Sequence, residues 1–294
     1  MLIARLIADP ADLLTRIEAV KAELEPEAMP IEASATSLGD KVLVEISALD
    51  GNQALFRHVL DEIFAPADML IAKDAVRVPA LFVSDMDSTM IGQECIDELA
   101  DFAGIKPQIA EITERAMQGE LDFNAALIER VNLLAGLDEG AIQQCLDERI
   151  RPNPGARVLV ETLKAGGCRT VLVTGGFHHF ADPVAQQIGF EHVVGNRLEV
   201  TAGKLTGSLI GEICNSTTKK KVHDDELGAL PAGSASMAAG DGANDVPMLQ
   251  AATYGIAYYA KPKARAAANG VVEAGDLTSL LSLLGIPKSD WVTG

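Results

Sequence analysis

The sequence predicts an α/β protein built on a parallel sheet, preceded by a small βαββαβ unit and interrupted by a block of helices. Three observations carry this. Short apolar runs near residues 80–84, 169–174, 235–240 and 254–257 alternate with stretches of helical spacing, the pattern of parallel strands joined by crossover helices. Residues 94–150 read as helix and fall between the first two of those runs. The first 75 residues carry strand and helix signals in an order of their own.

Leu2–Ile7 reads as a strand, and Asp12–Leu24 repeats Leu13, Leu14, Ile17, Val20 and Leu24 at helical spacing. Ile31–Thr36 is a second strand. Lys41–Ser47 is a third, with Val42, Val44 and Ile46 on one face. Gln53–Ile63 is a second helix and Met69–Ala72 a fourth strand. The order βαββαβ implies a ferredoxin-like (ACT-like) domain over residues 1–75. Three roles stand open for it: binding a small effector, forming a homodimer, or capping the chain. No polar cluster in it demands chemistry.

Residues 76–294 form the second predicted domain. Ala80–Ser84 is its first strand. Glu94–Phe102, Lys106–Gly119, Asp122–Leu134 and Glu139–Ile150 follow as helices, separated by Gly104, Gly119 and Gly136. Pro152-Asn153-Pro154-Gly155 ends the block. An insertion at about 94–152, near the carboxyl ends of the sheet, is where a lid would sit. Ala156–Ala165 is a helix, Arg169–Thr174 a strand, Gly175-Gly176 a turn, and His179–Ile188 a helix. His192–Val194 is a short strand. Leu198–Val200 and Lys204–Thr206 form a hairpin turned by Ala202-Gly203. Ala235–Gly240 and Tyr254–Ala257 complete the sheet.

Composition narrows the function. A formal net charge of -18 disfavours nucleic acid and anionic membranes as partners. No run reaches the roughly 18 unbroken apolar residues of a membrane span, and the N-terminus lacks the basic leader of a secretory signal. Cys95, Cys145, Cys168 and Cys214 form no CxxC pair. Reduced thiols in a cytoplasm are the expectation.

Chemistry concentrates at predicted strand ends. Asp85-Met86-Asp87-Ser88-Thr89 follows the first strand. Side chains two apart on a strand share a face, so both acids would reach one site, one attacking while the other moves a proton. The same string also reads as a solvated strand end. Thr174-Gly175-Gly176 offers a hydroxyl and bare backbone to a phosphate oxygen, or is a plain turn. Asp241-Gly242-Ala243-Asn244-Asp245 offers two acids to a hard cation, or is a polar turn. Lys219 either offsets phosphate charge or belongs to a solvated run, Lys219 to Lys221.

Together and in this order, Asp85–Thr89, Thr174, Lys219 and Asp241–Asp245 resemble the haloacid dehalogenase (HAD) superfamily, with its DxDx[TV], Thr/Ser, Lys and GDxxxD motifs. Over roughly residues 80–280 the chain looks like the phosphoserine phosphatase family within it. That likeness rests on Asp85–Ile91 with Glu94 and Asp97–Ala100, Thr113–Phe123, Arg130-Val131, Val173–Phe177 and Gly240–Asp245. The resemblance implies a Rossmann-like core with a helical cap. It implies hydrolysis of L-phosphoserine, a small-molecule substrate, in the last step of serine biosynthesis. Asp85 would be the nucleophile and Asp87 the general acid and base. Mg²⁺ would be held by Asp85, the Asp87 backbone carbonyl and Asp241. Thr174, Gly175 and Lys219 would hold the phosphoryl oxygens. Asn244 and Asp245 would support the metal's water shell and the lysine. Arg130 would clamp the substrate carboxylate and Glu94 its ammonium, under Met117 and Phe123 as apolar cap residues. Two other readings stand beside this one: a phosphotransferase that passes the group to homoserine, and a non-catalytic amino-acid-sensing regulatory protein.

Overall fold

The computed structural model describes residues 1–49, 51–117 and 121–293, with backbone only at 116 and 117. The chain begins with strand β1 (Leu2–Ala8), helix α1 (Leu13–Leu24), strands β2 (Ile31–Ser37) and β3 (Val42–Ala48), helix α2 (Gln53–Phe64) and strand β4 (Asp68–Ala72). The strands pair antiparallel in the order β2-β3-β1-β4. In β3, Val44, Ile46 and Ala48 are buried at every second position, as a strand with one covered face requires. Helix α2 starts cleanly because the Asn52 side chain accepts the N–H groups of Ala54 and Leu55, a cap contributing about 1 kcal/mol.

Strand β5 (Leu81–Ser84) then leads into helices α3 (Cys95–Phe102), α4 (Lys106–Met117), α5 (Phe123–Asn132) and α6 (Gly140–Arg149). The two ends of this insertion are tied to each other. Ile91 bridges Pro152, the Asn153 N–H donates to Met90 O at 2.8 Å, and the Asn153 amide donates to Thr89 O at 2.8 Å. Helix α7 (Ala156–Ala165), strand β6 (Arg169–Phe177), helix α8 (His178–Ile188), strands β7 (His192–Thr201) and β8 (Lys204–Ile210) and helix α9 (Ser216–Gly228) follow. The chain ends with β9 (Ser236–Gly240), α10 (Val246–Ala251), β10 (Tyr254–Tyr258), α11 (Pro262–Ala267), β11 (Gly270–Val272) and α12 (Ser279–Leu283).

Among the described residues these strands make one sheet, β2-β3-β1-β4-β11-β10-β9-β5-β6-β7-β8. From β11 to the start of β7 it is parallel. Each face has its own core. Phe82 of β5 packs with Leu159, Leu172, Phe180 and Ile256, while its neighbours Leu81 and Val83 face Val171, Val173 and Met248. That second layer runs without a break into Leu6, Phe56 and Leu60 near the N-terminus.

Three strands differ from the sequence reading, and the short helices α10, α11 and α12 are additions to it. Strand β6 continues through Gly175-Gly176 to Phe177, where it pairs with Asn196 after a register shift, so the two glycines form no turn. The segment 192–201 is one strand, parallel to β6 in its first half and antiparallel to β8 in its second. Strand β11, which the sequence reading omits, pairs antiparallel with β4 and joins the N-terminal strands to the parallel ones.

Candidate active site

Register places the acids. Ser84, the last residue of β5, stands opposite Leu172 of β6 and Ala239 of β9. Asp85 and Asp241 therefore leave the sheet together just past β5 and β9, beside Thr174 where β6 has run beyond its pairing with β5, at the ligand-binding edge of an open α/β sheet. The Asp85 N–H donates to Ala239 O at 2.9 Å, and its Oδ1 accepts the Met86 N–H at 2.7 Å. Asp87 arrives by a different route from the one expected. The strand has ended, and a tight turn in which Thr89, Met90 and Ile91 all donate to Met86 O carries Asp87 back. Its Oδ2 lies 3.0 Å from where a Cβ on Gly176 would stand, and its Oδ1 accepts the Cys95 N–H at 3.4 Å.

Lys219 comes from the first turn of α9, whose start is capped by Asn215 accepting the N–H groups of Thr217 and Thr218. Its ammonium is fully buried. It lies 2.6 Å from Asp85 Oδ2 and 2.7 Å from Asp245 Oδ1. Lys220 and Lys221 face outward and pair with Asp224 and Asp225 one turn on. Asp245 also accepts the Gly242 N–H at 3.0 Å. A Cβ on Gly240 would collide with the Asp245 carboxylate, so β9 must end in glycine.

Burial sets the charge states. It raises the Asp85 carboxyl well above the ordinary range, Asp245 adding to the rise and Lys219 opposing it. Burial first and the Glu94 charge second push Asp87 up to about 7. Burial also raises Asp241, against the pull of Lys261. For Lys219, burial favours the neutral amine, but Asp245 and Asp85 outweigh it and its affinity for the proton rises.

The carboxylates of Asp85, Asp241 and Asp245 each present an oxygen within 4.8 Å of the others. An all-oxygen, buried, acidic donor set fits a hard divalent cation and not a thiophilic one. Asp245 joins this group although the sequence reading gave it only a supporting part. Its two oxygens already accept from Lys219 and Gly242, which suits it to orienting the lysine. Because burial makes Asp85 and Asp241 bind protons more readily than free carboxyls, protons compete with a cation entering here. Affinity should therefore rise with pH, by up to about tenfold per unit for each proton released. Calorimetry of Mg²⁺ binding in two buffers of different ionisation enthalpy checks this. Equal heats in both buffers would contradict it.

Thr174 is buried, and its hydroxyl accepts the Gly176 N–H at 2.8 Å, leaving its own proton to donate. A Cβ on Gly175 would stand 3.1 Å from Phe123 Cζ, so the first residue of α5 lies over this part of β6 and a side chain here would push the ring outward by a few tenths of an ångström. Asn196, absent from the sequence reading, fixes this edge. Its amide donates to Gly175 O at 2.7 Å, and its Oδ1 accepts the Cys214 N–H at 2.8 Å. A lone asparagine inside a strand gave no signal.

Arg130 is half-buried on α5. Its Nε donates to Ala126 O at 3.3 Å, and among the described residues it has no ion pair. The acids acting on it are Asp97, Glu94 and Asp87. Glu94, just before α3, accepts the Ser88 hydroxyl at 2.7 Å. Asn244 is half-buried beside Gly242 and makes no side-chain hydrogen bond among the described residues. The Met117 side chain lies outside the described residues. Lys261 is a second omission of the sequence reading. Its ammonium stands 3.2 Å from Asp241 Oδ2.

A family profile described as haloacid dehalogenase-like hydrolase matches residues 82–250, and a second of the same description matches 232–280. The phosphoserine phosphatase of Albidiferax ferrireducens is 43% identical over 211 residues, 69% of this chain and 88% of that protein. Among solved structures, a HAD family hydrolase from Salmonella enterica serovar Typhi superposes with a TM-score of 0.82 at 27% identity, covering 97% of this chain and 99% of that one. A probable phosphoserine phosphatase from Vibrio cholerae superposes at 0.75 with 29% identity, over 98% and 88% of the two chains.

Proposed function

The chain belongs to the haloacid dehalogenase-like hydrolases, and from that membership we propose that it is a Mg²⁺-dependent phosphatase acting on L-phosphoserine. The observation that carries the substrate is Arg130: a half-buried guanidinium without an ion pair, in the field of Asp87, Glu94 and Asp97. A phosphate monoester with a neighbouring carboxylate satisfies it, and a planar fork suits a carboxylate bidentately. Glu94 takes the substrate ammonium. Phe123 over Gly175 excludes water from the phosphoryl group.

Asp85 attacks phosphorus and becomes an aspartyl phosphate. Its buried carboxylate is held in plane by Met86 N–H and Lys219, so no reorganisation is needed at the moment of attack. Asp87, pushed up to about 7, carries a proton near neutrality and gives it to the departing serine oxygen. The resulting carboxylate then takes a proton from the water that opens the aspartyl phosphate. One residue serves both halves because the proton moves in opposite directions. Lys219, Thr174 and the Gly175 N–H hold the phosphoryl oxygens, and Asn244 and Asp245 support them. Asp85, Asp241 and the Asp87 carbonyl would hold a divalent ion, which would supply charge neutralisation for the phosphoryl group; Mg²⁺ is the ion we propose.

We also propose the division at residue 75, a ferredoxin-like, ACT-like domain before it and the catalytic domain with its cap at 94–152 after it. The antiparallel order β2-β3-β1-β4 supports this division. Four buried free thiols support a reducing compartment, and we propose the cytoplasm. Among the described residues no helix is long and apolar enough to cross a membrane. A homodimer is the assembly we propose, supported by β2, an edge strand exposed along nearly its whole length; a monomer in sedimentation equilibrium would remove that proposal.

The test is phosphate release from L-phosphoserine, with Mg²⁺ and with EDTA, against sugar phosphates, nucleotides and phosphothreonine. Release is expected from phosphoserine far ahead of the others, and only with metal. No release from phosphoserine, with transfer of the phosphoryl group to homoserine, would replace the hydrolase reading by the transferase one.

A further inference from the structure

Lys261 is the last residue before α11, and both ends of that short helix are held. At the near end, the Lys261 N–H donates to Asp241 O at 2.8 Å. Its ammonium pairs with Asp241 Oδ2 at 3.2 Å, the lysine side chain 67% exposed and the aspartate 9%. The lysine is thus the partner free to move. At the far end, Arg57 of α2 donates to Ala268 O and, at 3.1 Å, to Arg265 O, carbonyls that the ending helix leaves without partners. Arg265 of α11 holds both oxygens of Asp61 of α2 at 3.2 Å. It also holds both oxygens of Glu273 at 3.0 and 3.1 Å. Within α11, Arg265 N–H donates to Lys261 O at 3.0 Å. One continuous set of bonds therefore runs from α2, through a helix about 9 Å long, to a carboxylate of the acidic cluster.

We propose that Lys261 competes with the divalent cation for Asp241, and that α2 sets the strength of this competition through α11. The ammonium and a divalent ion would share the Asp241 carboxylate, and two cations on one carboxylate repel. The ion pair is mostly exposed on the lysine side, so its effect is modest and adjustable. A shift of α2 against the sheet moves the Arg57 and Arg265 anchors, and with them the reach of Lys261. Residues from the first quarter of the chain thereby act on the metal site without touching it. This inference rests on the reading of Asp241 as a metal ligand.

The experiment is Mg²⁺ titration of the full chain by isothermal calorimetry, without substrate. Lys261→Met keeps the side-chain length and removes the charge, and Mg²⁺ should bind about threefold tighter, the scale of a partly exposed ion pair. Lys261→Arg should restore the weaker affinity. Arg265→Met and Asp61→Asn, two separate ways of loosening the brace, should each tighten binding by less. Neither should add to the effect of Lys261→Met, since a shared route is non-additive. Unchanged or weaker binding in Lys261→Met overturns the competition. Brace effects that persist in the Lys261→Met background overturn the route through α11. Asp241→Asn separates the premise from the inference: if it leaves Mg²⁺ affinity intact, the ligand reading itself fails. If it lowers affinity while Lys261→Met does nothing, only the competition fails.

Discussion

Asp85→Asn is expected to lose turnover of L-phosphoserine by on the order of 10⁵-fold or more, the scale of removing a covalent nucleophile. An amide oxygen is too weak a nucleophile for phosphorus, and no neighbour stands in its place. Asp87 is held by Cys95, and Asp245 is held by Lys219 and Gly242. The fold should survive. Asn has the shape of the Asp85 carboxyl, and burial disfavours the charge that the substitution removes. Lys219 keeps Asp245 as its counter-ion at 2.7 Å. Thermal unfolding should move little or slightly upward, because a carboxyl repelled by Asp245 has gone. A large drop in melting temperature would mean that Asp85 is chiefly a structural partner of Lys219.

Arg130→Ala is expected to separate substrate recognition from chemistry. Two charge-assisted hydrogen bonds to a carboxylate, each about 1.5–3 kcal/mol, predict a fall of roughly 10²- to 10⁴-fold in kcat/KM for L-phosphoserine. An aryl phosphate has no carboxylate for Arg130 to hold, and its hydrolysis should change by less than about threefold. The discrimination follows from position: Arg130 is on α5 of the cap, whereas Asp85, Thr174, Lys219 and Asp241 belong to the sheet and α9. Stability should be almost unaffected, since among the described residues the guanidinium makes only one hydrogen bond, to Ala126 O. Equal losses on both substrates would assign Arg130 to holding the cap in place.

The residues at strand ends were legible because local patterns report them. An apolar run ending in Asp, Thr or Gly-Asp marks where a buried strand meets solvent, and parallel pairing brings such ends together. The helices of the cap were legible from their periodicity, to within a residue or two. Lys219 was ambiguous among three lysines, yet a signal existed: Lys219, His223 and Glu226 recur at helical spacing, and all three are buried. Strand β11 was not legible. It has three residues, and its antiparallel partner β4 lies about 200 positions earlier, so no local pattern foretells one continuous sheet. The path of β6 through Gly175-Gly176 was hidden for a related reason. Glycine has no side chain to show a strand, and the pairing depends on Asn196 across the register shift. Lys261 was missed because a lysine before a proline reads as an ordinary helix start. Only the fold shows that this start faces Asp241.

The central claim is that Asp85 takes the phosphoryl group from L-phosphoserine. The most direct measurement mixes the metal-loaded protein with phosphorus-labelled L-phosphoserine, quenches in acid within a single turnover, and maps the label by peptide. The account predicts an acid-stable, base-labile label on the peptide that carries Asp85, formed together with one equivalent of free serine. Turnover without label on that peptide, or label on another residue, would contradict it.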